Sequence, residues 1–479
     1  MLKTFRRFAQ RLSTLGATAI ALTTCLVAGS PTAELLTEII RVNTSNPPGN
    51  EAQLAEFLEA KFKPLGFQID VIPTPDPAKA HFIARLKGDG SKKPILLAAH
   101  ADVVGVEREK WSVDPFAGVI KDGYVFGRGA IDFKGGLAVF AQAAMMLAKN
   151  KVPLKRDVIF LSEADEEGGR YNTGWLAENH WDKIDCEFSL NEGGWIIKDA
   201  SGKVQYVSIS TADKSGVSLL ITAKGTSTHS SMPRADNAIF TLSKAMAKIA
   251  DYDTRPKLID STREFFLTLA KTSQPPMSTY FENLVNSTDP ALVEQADKEI
   301  SKNSLLHAIM RNTIAPVFLK AGFRGNVIPG SAEATINFRT VPGTNIDELI
   351  SEMQAVINDP RVEVTRMPSN SPDGKMMSRY IEMAARSKPS PKGTELYETL
   401  EAQAKKVWPG VAVTPYLFQA GTDAMAWRSR GIPVYGIYPY PISAEDLTRM
   451  HGNDERVPVE SLDQGTELIY KTLLEVAAK

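Results

Sequence analysis

The chain has 479 residues, of which 43% are hydrophobic and 23% are charged, and its formal net charge is −1. This length exceeds one ordinary domain and suits two. The nearly neutral charge excludes a strongly basic surface, so we expect no nucleic acid among its partners.

The first 30 residues have the composition of a secretory signal. "MLKTFRRFAQR" carries four basic residues and no acid, and small and apolar residues follow it to Ser30. The apolar part is shorter than the roughly 20 residues that span a bilayer, which favours a cleaved signal over a retained anchor. We therefore expect export to a periplasm or beyond, with no stable membrane span in the mature chain. Lipid attachment at Cys25 is the alternative, although Thr24 fits such a motif poorly.

Cysteine usage limits the chemistry of any metal site. Removal of the signal leaves Cys186 as the single cysteine, which excludes an intrachain disulfide. A metal ion would therefore need histidine and carboxylate ligands in place of thiolates.

Helix and strand patterns alternate from about residue 34. Apolar residues spaced by three and four predict helices, and short apolar runs predict strands. The predicted helices cover 32–42, 51–66 and 134–150, and the predicted strands cover 67–72, 81–86, 92–100, 156–162 and 186–190. Because these strands are nearly all apolar, we predict an α/β fold with a mainly parallel sheet covered by helices.

The pattern changes near residue 206. A strand–helix–strand–helix–strand order predicts a smaller α+β unit, which a polar and mostly helical insert interrupts at about 255–313. The insert could shape a dimer, cover the cleft or set substrate size. Alternation of helix and strand then returns. The predicted organisation is a signal at 1–30, a discontinuous catalytic domain at 34–206 and 371–479, and an inserted lid or dimerisation domain at 207–370.

Polar residues follow three of the apolar strands. His100 and Asp102 end one strand, the run "SEADEE" with Glu166 and Glu167 ends another, and Glu192 ends a third. An isolated acidic strand end is usually a solvated loop, and a lone histidine there is usually a hydrogen-bonded core residue. Ligands of open α/β sheets bind at the carboxyl ends of the strands, however. Three such ends with a histidine among them predict a metal site.

Two further residues are candidates for the same chemistry. Asp132 lies in the glycine-rich turn "GRGAIDFKGG" just before a helix, where the alternative is a helix N-cap. His451 lies in the polar loop "TRMHGNDERV", where the alternative is an ordinary surface histidine.

Several motifs, in this order and context, resemble the zinc exopeptidase family. They are "HADVV", "WSVDPFAGVIKDGYVFGRGAIDFKGG", "EADEEGG", "NEGG", "GTSTHSSMP", "GTDA" and "MHGNDERV". The family contains aminoacylase-1, carboxypeptidase S, glutamate carboxypeptidase, acetylornithine deacetylase and succinyl-diaminopimelate desuccinylase. The resemblance runs from about Glu34 to the C-terminus. "NEGG" and the long insert are closer to carboxypeptidase S and aminoacylase.

The resemblance implies two zinc ions per subunit, with cobalt or manganese as alternatives for such ligands. Asp132 would bridge the ions, Glu166 would be the general base, and Asp102 would orient a histidine. His229, in the inserted domain, would bind substrate or the developing oxyanion across a homodimer. The other implied metal ligands are His100 and Glu192 for one ion and Glu167 and His451 for the other, and the implied contacts to the substrate carboxylate are Asn326 and Arg339. Glu163 and Asp165 are expected to be structural.

We therefore predict a metal-dependent enzyme that hydrolyses an amide bond in a small substrate with a free carboxylate. The activity is that of a metallo-carboxypeptidase or dipeptidase, and hydrolysis of N-acyl amino acids at the same site is the alternative. The sequence also leaves open a non-catalytic metal-dependent binding module on this scaffold and a lipid-anchored enzyme.

Overall fold

The computed structural model describes residues 29–367 and 372–479, so the predicted signal and Cys25 lie outside the described residues. In the described parts of the chain, none of the helices combines the length and the apolar character that a membrane crossing requires.

The first part of the chain alternates helices and strands, as the apolar pattern predicts. Two 3₁₀ turns, Lys63–Leu65 and Arg108–Lys110, interrupt it. Its elements are α1 (Pro31–Arg41), α2 (Glu51–Phe62), β1 (Gln68–Pro73), β2 (Ala80–Leu86), β3 (Ile95–His100), β4 (Val119–Lys121), β5 (Tyr124–Phe126), α3 (Lys134–Lys149), β6 (Val158–Glu163), α4 (Thr173–Asn179), α5 (Trp181–Ile184), β7 (Phe188–Asn191), β8 (Ile196–Lys198) and β9 (Val204–Asp213).

The middle part contains a smaller sheet and a run of helices. Its elements are β10 (Ser215–Lys224), β11 (Thr228–His229), α6 (Ala238–Ala250), α7 (Asp260–Thr272), α8 (Met277–Asn286), α9 (Pro290–Ile300), α10 (Ser304–Met310), β12 (Thr313–Ala321), β13 (Val327–Ile328), β14 (Ser331–Thr340), α11 (Ile346–Ile357) and β15 (Val362–Arg366).

The last part of the chain returns to the larger sheet, to which it adds three strands. Its elements are α12 (Pro372–Arg386), α13 (Glu395–Val407), β16 (Ala412–Phe418), α14 (Met425–Arg428), β17 (Val434–Gly436), β18 (Pro441–Ser443), α15 (Ala444–Leu447), β19 (Arg456–Pro458) and α16 (Val459–Ala477).

A ten-stranded sheet forms the centre of the larger domain, in the order β1-β2-β6-β3-β7-β17-β9-β8-β18 with β16 paired to β9. Strands β6, β3, β7 and β17 run parallel to one another. Side chains of β3 alternate between two cores: Ile95 and Leu97 face the core that includes α1, α3 and α16, and Leu96 and Ala98 face the opposite core. Because β3 is buried on both faces, its sequence is apolar throughout. The predicted fold class is confirmed.

The smaller sheet is antiparallel, in the order β12-β14-β10-β15, with α6 and α11 packed on it around a separate core. A separate two-stranded antiparallel sheet of β11 and β13 pairs His229 with Val327. Strand β12 lies at an edge of this sheet and is the most exposed of its strands.

The helical insert packs against the larger domain, although it lies in sequence within the smaller one. Phe265, Phe266 and Leu269 of α7 belong to the same core as Ile209 of β9 and Tyr416 of β16. After the insert, the chain re-enters the smaller sheet at β12. Just before this strand lies Arg311, a buried residue that pairs with Asp253 at 2.7 Å and with Asp297. Of the three roles that the sequence leaves open for the insert, none is tested by this packing.

Candidate metal centre

The candidate site lies at the carboxyl ends of the parallel strands. His100 ends β3, and its register partner Glu163 ends β6. Glu192 follows β7 directly. The three strand ends that the sequence marks as polar are therefore neighbours in one sheet, because β6, β3 and β7 are adjacent.

Two groups of potential metal ligands meet at this edge. His100, Glu166 and Glu192 form one group, and Asp132, Glu167 and His451 form the other. Within each group the ligand atoms lie within 4.8 Å of one another. The structure thus brings together the five predicted ligands and Glu166, the predicted base.

Asp132 joins the two groups, because each of its carboxylate oxygens faces a different histidine. Its Oδ1 lies 3.1 Å from His100 Nε2, and its Oδ2 lies 3.0 Å from His451 Nε2. His100 Nε2 is also 3.6 Å from Glu192 Oε2. This is the arrangement that a carboxylate bridging two cations requires.

Glu455 holds the turn that carries Asp132. Its carboxylate accepts hydrogen bonds from the backbone N–H groups of Gly129, Ile131 and Asp132, at 3.1, 2.8 and 3.0 Å, and it pairs with Arg128 at 2.6 Å. Gly129 has a φ of +86°, and a Cβ there would lie 2.7 Å from Val103 Cγ1. The glycine is therefore required by both backbone conformation and space.

Asp102 holds the loop that carries Glu166 and Glu167. Its carboxylate accepts the backbone N–H groups of Glu166 and Glu167, each at 3.0 Å. His100 Nδ1 lies 2.9 Å from the carbonyl oxygen of Asp102 and 3.7 Å from its carboxylate. The resemblance implies that Asp102 orients His100. In the structure the backbone carbonyl of Asp102 lies closer to the His100 ring than the Asp102 carboxylate does.

Three buried residues beside these ligands were not identified from the sequence as part of the site. The Tyr438 hydroxyl lies 3.1 Å from Asp132 Oδ1 and 3.0 Å from Glu192 Oε2. Thr173 donates a hydrogen bond to Asp423, which faces Glu163. "GTDA" marks Asp423 as part of a motif, whereas nothing distinguishes Tyr438 from the other tyrosine of "GIYPY".

Burial and mutual repulsion make four buried carboxylates at this edge difficult to ionise. Burial raises the pKa of Glu192 to about 7, with Asp132 contributing, and it raises the pKa of Glu166 well above its usual range, with Glu192 contributing. Burial also raises the pKa values of Glu163 and Asp423. These acids share more negative charge than the nearby protein cations compensate, and bound metal cations would supply the missing positive charge.

The histidines respond to the same charge. The carboxylates of Asp132 and Glu167, each 3.0 Å from Nε2 of its ring, raise the pKa of His451 to about 10. Burial opposes a charge on His100, but Glu192 and hydrogen bonds to Asp102 and Asp132 raise its pKa well above the usual value. Both rings therefore lie in fields that attract a cation.

The donor set fits divalent cations. Among the described residues, Glu167 Oε1 is buried and accepts no hydrogen bond, although His451 Nε2 lies only 3.0 Å away. A nitrogen and an oxygen that approach so closely without a hydrogen bond are arranged as two ligands of one ion. Histidine nitrogens with carboxylate oxygens are ligands that zinc accepts, and cobalt and manganese accept them too.

A cavity of about 510 Å³ opens beside these residues. Its wall combines apolar side chains such as Phe418, Met425 and Met450 with Asn337 and Arg339 of β14. Arg339 is exposed in this cavity and has no hydrogen-bond or ion-pair partner among the described residues. Its guanidinium passes close to Gly216 and Gly421.

His229 and Asn326 lie together elsewhere. Both are exposed on or beside the two-stranded sheet of β11 and β13, where the backbone N–H of Ser230 donates to the Asn326 carbonyl at 3.0 Å. Neither residue lines the cavity of its own chain. His229 Nδ1 accepts from the Ser231 backbone N–H at 3.2 Å, and its Nε2 has no hydrogen-bond partner in the part of the chain that the structure describes. The predicted roles of all ten site residues stay predictions.

Comparison with solved structures places the fold among metallopeptidases. The M20 family metallo-carboxypeptidase Sso-CP2 from Sulfolobus solfataricus matches with a TM-score of 0.66 and 17% identity, over 92% of this chain and 98% of that one. Human carnosine dipeptidase 1 matches with a TM-score of 0.61 and 16% identity, over 93% and 95%. At such identities the likeness concerns the fold.

Curated relatives are closer in sequence. The "Probable carboxypeptidase S-like 2" of Dictyostelium discoideum is 32% identical over 391 residues, which are 80% of this chain and 71% of the relative. The human "N-fatty-acyl-amino acid synthase/hydrolase PM20D1" is 27% identical over 398 residues, which are 82% and 76%. Residues 96–475 match the family described as Peptidase family M20/M25/M40. With its fold, its ligand groups and these matches taken together, the chain belongs to peptidase family M20/M25/M40, as its motifs predict.

Proposed function

We propose that this protein is a di-zinc hydrolase that cleaves an amide bond in a small substrate with a free carboxylate. The observation that carries this proposal is the bridging position of Asp132 between His100 and His451, beside Glu166 and at the mouth of a cavity that contains Arg339. Family membership supports metal-dependent amide hydrolysis. The number and identity of the ions are part of the proposal.

The side chains divide the catalytic work. Two divalent cations, when bound, polarise the scissile carbonyl and lower the pKa of water. The Glu166 carboxylate lies among the potential ligand atoms. It is not needed to link the two ligand groups, because Asp132 contacts a histidine of each group. The Glu166 carboxylate takes a proton from the attacking water and returns it to the leaving nitrogen. Burial raises the pKa of this carboxyl group, the direction that makes its carboxylate a stronger proton acceptor.

Arg339 is the proposed anchor of the substrate carboxylate. It is a guanidinium in the cavity without a partner among the described residues, and a carboxylate would satisfy it with two hydrogen bonds. Replacing Arg339 with methionine should raise KM about 10–100-fold, the loss expected for one charged hydrogen-bonded contact. Steady-state kinetics would measure this change.

A neutral substrate provides the control for this prediction. The same compound with its carboxylate converted to an amide should be a poor substrate of the unmodified enzyme and should respond little to Arg339→Met. An equal loss on both compounds would assign Arg339 to the structure of the cavity and would contradict its role as an anchor.

The acids of the cavity favour a substrate without a free ammonium next to the scissile carbonyl. Of the described residues, five acids line the cavity, four of them in the metal groups and Asp423 buried beside Glu163 and Thr173. An α-ammonium there would compete with bound cations for the four acids of the metal groups, and Asp423 already accepts a hydrogen bond from Thr173. Longer peptides and N-acyl amino acids, which carry an uncharged group at that point, are therefore favoured over free dipeptides.

Matched substrates test the proposed function. The zinc-loaded protein would receive one C-terminal amino acid as a free dipeptide, as a blocked dipeptide and as an N-acyl derivative, with a chelator-treated sample as the control. We expect zinc-dependent release from the blocked and acylated compounds. Preferred cleavage of free dipeptides would make the protein a dipeptidase and would require an acid from elsewhere. Binding without cleavage of any of them would make it a binding module.

We also propose a homodimer through strand β12, in which His229 serves the cavity of the partner subunit. Val317, Phe318 and Leu319 on this edge strand are 50%, 71% and 71% exposed. An exposed apolar edge strand is a surface suited to pairing with a second copy of itself. His229 has an Nε2 without a hydrogen-bond partner among the described residues and lies outside its own cavity, which supports a role in trans.

Replacing Phe318 and Leu319 together with lysine should convert the dimer into a monomer and lower kcat. Sedimentation velocity would measure the mass. Ile120→Lys is the matched control, since Ile120 is 51% exposed and its strand β4 belongs to a different sheet from β12. A chain that stays dimeric with both lysines would contradict this interface.

Complementation separates the trans role of His229 from dimer formation. His229→Ala and Glu166→Gln should each be inactive alone. Mixed dimers would contain one site with both functional residues, so mixing should restore part of the activity. Absence of any recovery in verified mixed dimers would contradict the role in trans.

Export is proposed on the composition of residues 1–30 alone. Mass spectrometry of the mature N-terminus would test it, and an acylated Cys25 would replace cleavage of a signal with lipid anchoring.

A further inference from the structure

Glu166, the proposed base, and Glu167, a proposed metal ligand, lie on a short loop, residues 164–172, between β6 and α4. Its geometry depends on two buried aspartates. Asp102 accepts the backbone N–H groups of Glu166 and Glu167, each at 3.0 Å. Asp165 accepts the backbone N–H groups of Arg170 and Tyr171 at 3.1 and 2.7 Å, which closes the loop on itself.

Asn46 connects these two aspartates. Its side-chain amide Nδ2 lies 2.8 Å from Asp102 Oδ2 and 2.8 Å from Asp165 Oδ1, and it donates one hydrogen bond to each. An amide has two N–H donors, so both bonds form together. The donor pair thus separates two carboxylates that would otherwise face each other.

Further contacts fix the amide in this orientation. Lys79 Nζ donates to Asn46 Oδ1 at 3.0 Å and also pairs with Asp165. The backbone N–H of Asn46 donates to the Val103 carbonyl at 2.8 Å, which holds the residue beside the end of β3. The lysine therefore identifies which end of the amide is oxygen, and the nitrogen faces the aspartates.

Gly168 gives independent evidence that the loop is built around this amide. A Cβ at residue 168 would lie 2.2 Å from Asp165 Oδ1 and 2.7 Å from Asn46 Nδ2. Only glycine leaves room for this contact. Gly168 also lines the substrate cavity, whereas Asn46 does not.

We propose that Asn46 is a positioning residue, which sets the geometry of Glu166 and Glu167 through Asp102 and Asp165. This inference rests on the proposed function, since it concerns the base and one metal ligand of the same site. Asn46 touches neither the cavity nor the ligand atoms. Its effect must therefore pass through the backbone of the loop.

Asn46→Asp and Asn46→Ala test the proposal. The first keeps the shape of the side chain and loses the donors, and the second removes the side chain. We expect kcat to fall about 10–100-fold with KM changed less than about threefold, because supporting contacts of metal sites typically have effects of that size. Zinc titration of the metal-free chain should show one of the two sites weakened by a similar factor.

Hydrogen exchange provides a readout that does not depend on activity. In both variants, exchange in the peptide covering residues 164–169 should accelerate at least about tenfold, because the N–H groups of Glu166 and Glu167 lose their fixed acceptor. Exchange in β6 should not change. Asn43→Ala is the matched control: Asn43 lies in the same turn and bonds to Ser45, with no contact to the loop.

Two results would overturn the proposal. Unchanged exchange at residues 164–169 in both variants would show that Asn46 does not hold the loop. Acceleration that extends equally to β6 and α3 would show a general role in stability. Because exchange and zinc titration need no substrate, these results are distinguishable from failure of the proposed hydrolysis, which would appear in the unmodified protein.

Discussion

Glu166→Gln should lower kcat about 10²–10⁴-fold, the range that a positioned general base typically contributes. The amide keeps the size of the side chain and removes the proton acceptor. Bound zinc should be unchanged, because Asp132, not Glu166, joins the two ligand groups. Steady-state kinetics with metal analysis of the same samples would measure both quantities.

Glu167→Gln is the matched control, since it makes the same change one residue away. Glu167 Oε1 is 3.0 Å from His451 Nε2, so this variant should lose zinc as well as activity. Full activity of Glu166→Gln would contradict the mechanism. Loss of zinc in Glu166→Gln would instead make Glu166 a ligand, as its proximity to His100 and Glu192 allows.

Asp132→Ala should have the second large effect, because it removes a ligand from both ions at once. Its two oxygens lie 3.1 and 3.0 Å from His100 and His451. We expect loss of both zinc ions and an activity lowered by about 10³-fold or more, since the metal supplies several kcal/mol of transition-state stabilisation. Metal analysis after dialysis, together with kinetics, would test this.

His451→Ala distinguishes a bridging ligand from a terminal one. His451 contacts Asp132 and Glu167 and belongs to one ligand group. Its removal should therefore release one ion and leave the other. If Asp132→Ala released a single ion as well, the bridging role of Asp132 would be wrong.

The sheet edge could be predicted because its signals are local. Apolar runs such as "PILLAAH" and "VIFLSE" identify strands buried on both faces, and such strands are parallel in α/β folds. Parallel neighbours present their carboxyl ends on one side, so the residues that follow them meet. His100, Glu166 and Glu192 are brought together in this way by their places at the ends of such strands.

The strand pattern alone could not identify Asp132 and His451 as site residues. Each lies in a loop whose pattern also suits a helix cap or an exposed turn, and only the combination of motifs pointed to a shared site. The structure adds the physical reason for the turn of Asp132. Glu455, more than three hundred residues later, binds three backbone N–H groups of that turn.

Other features were decided by tertiary structure alone. Helix α7 packs on the larger sheet, and the helices after it as far as residue 310 share the same core, although their neighbours in sequence form the smaller sheet. Tyr438 lies beside Asp132 and Glu192, and Asn46 links Asp102 to Asp165. The sequence by itself determined which strands are buried, where each one ends and which ligand types follow it, because periodicity and composition report local conformation and burial. Which distant side chains share a buried hydrogen bond depends on how separate segments pack, and that information is present only in the folded chain.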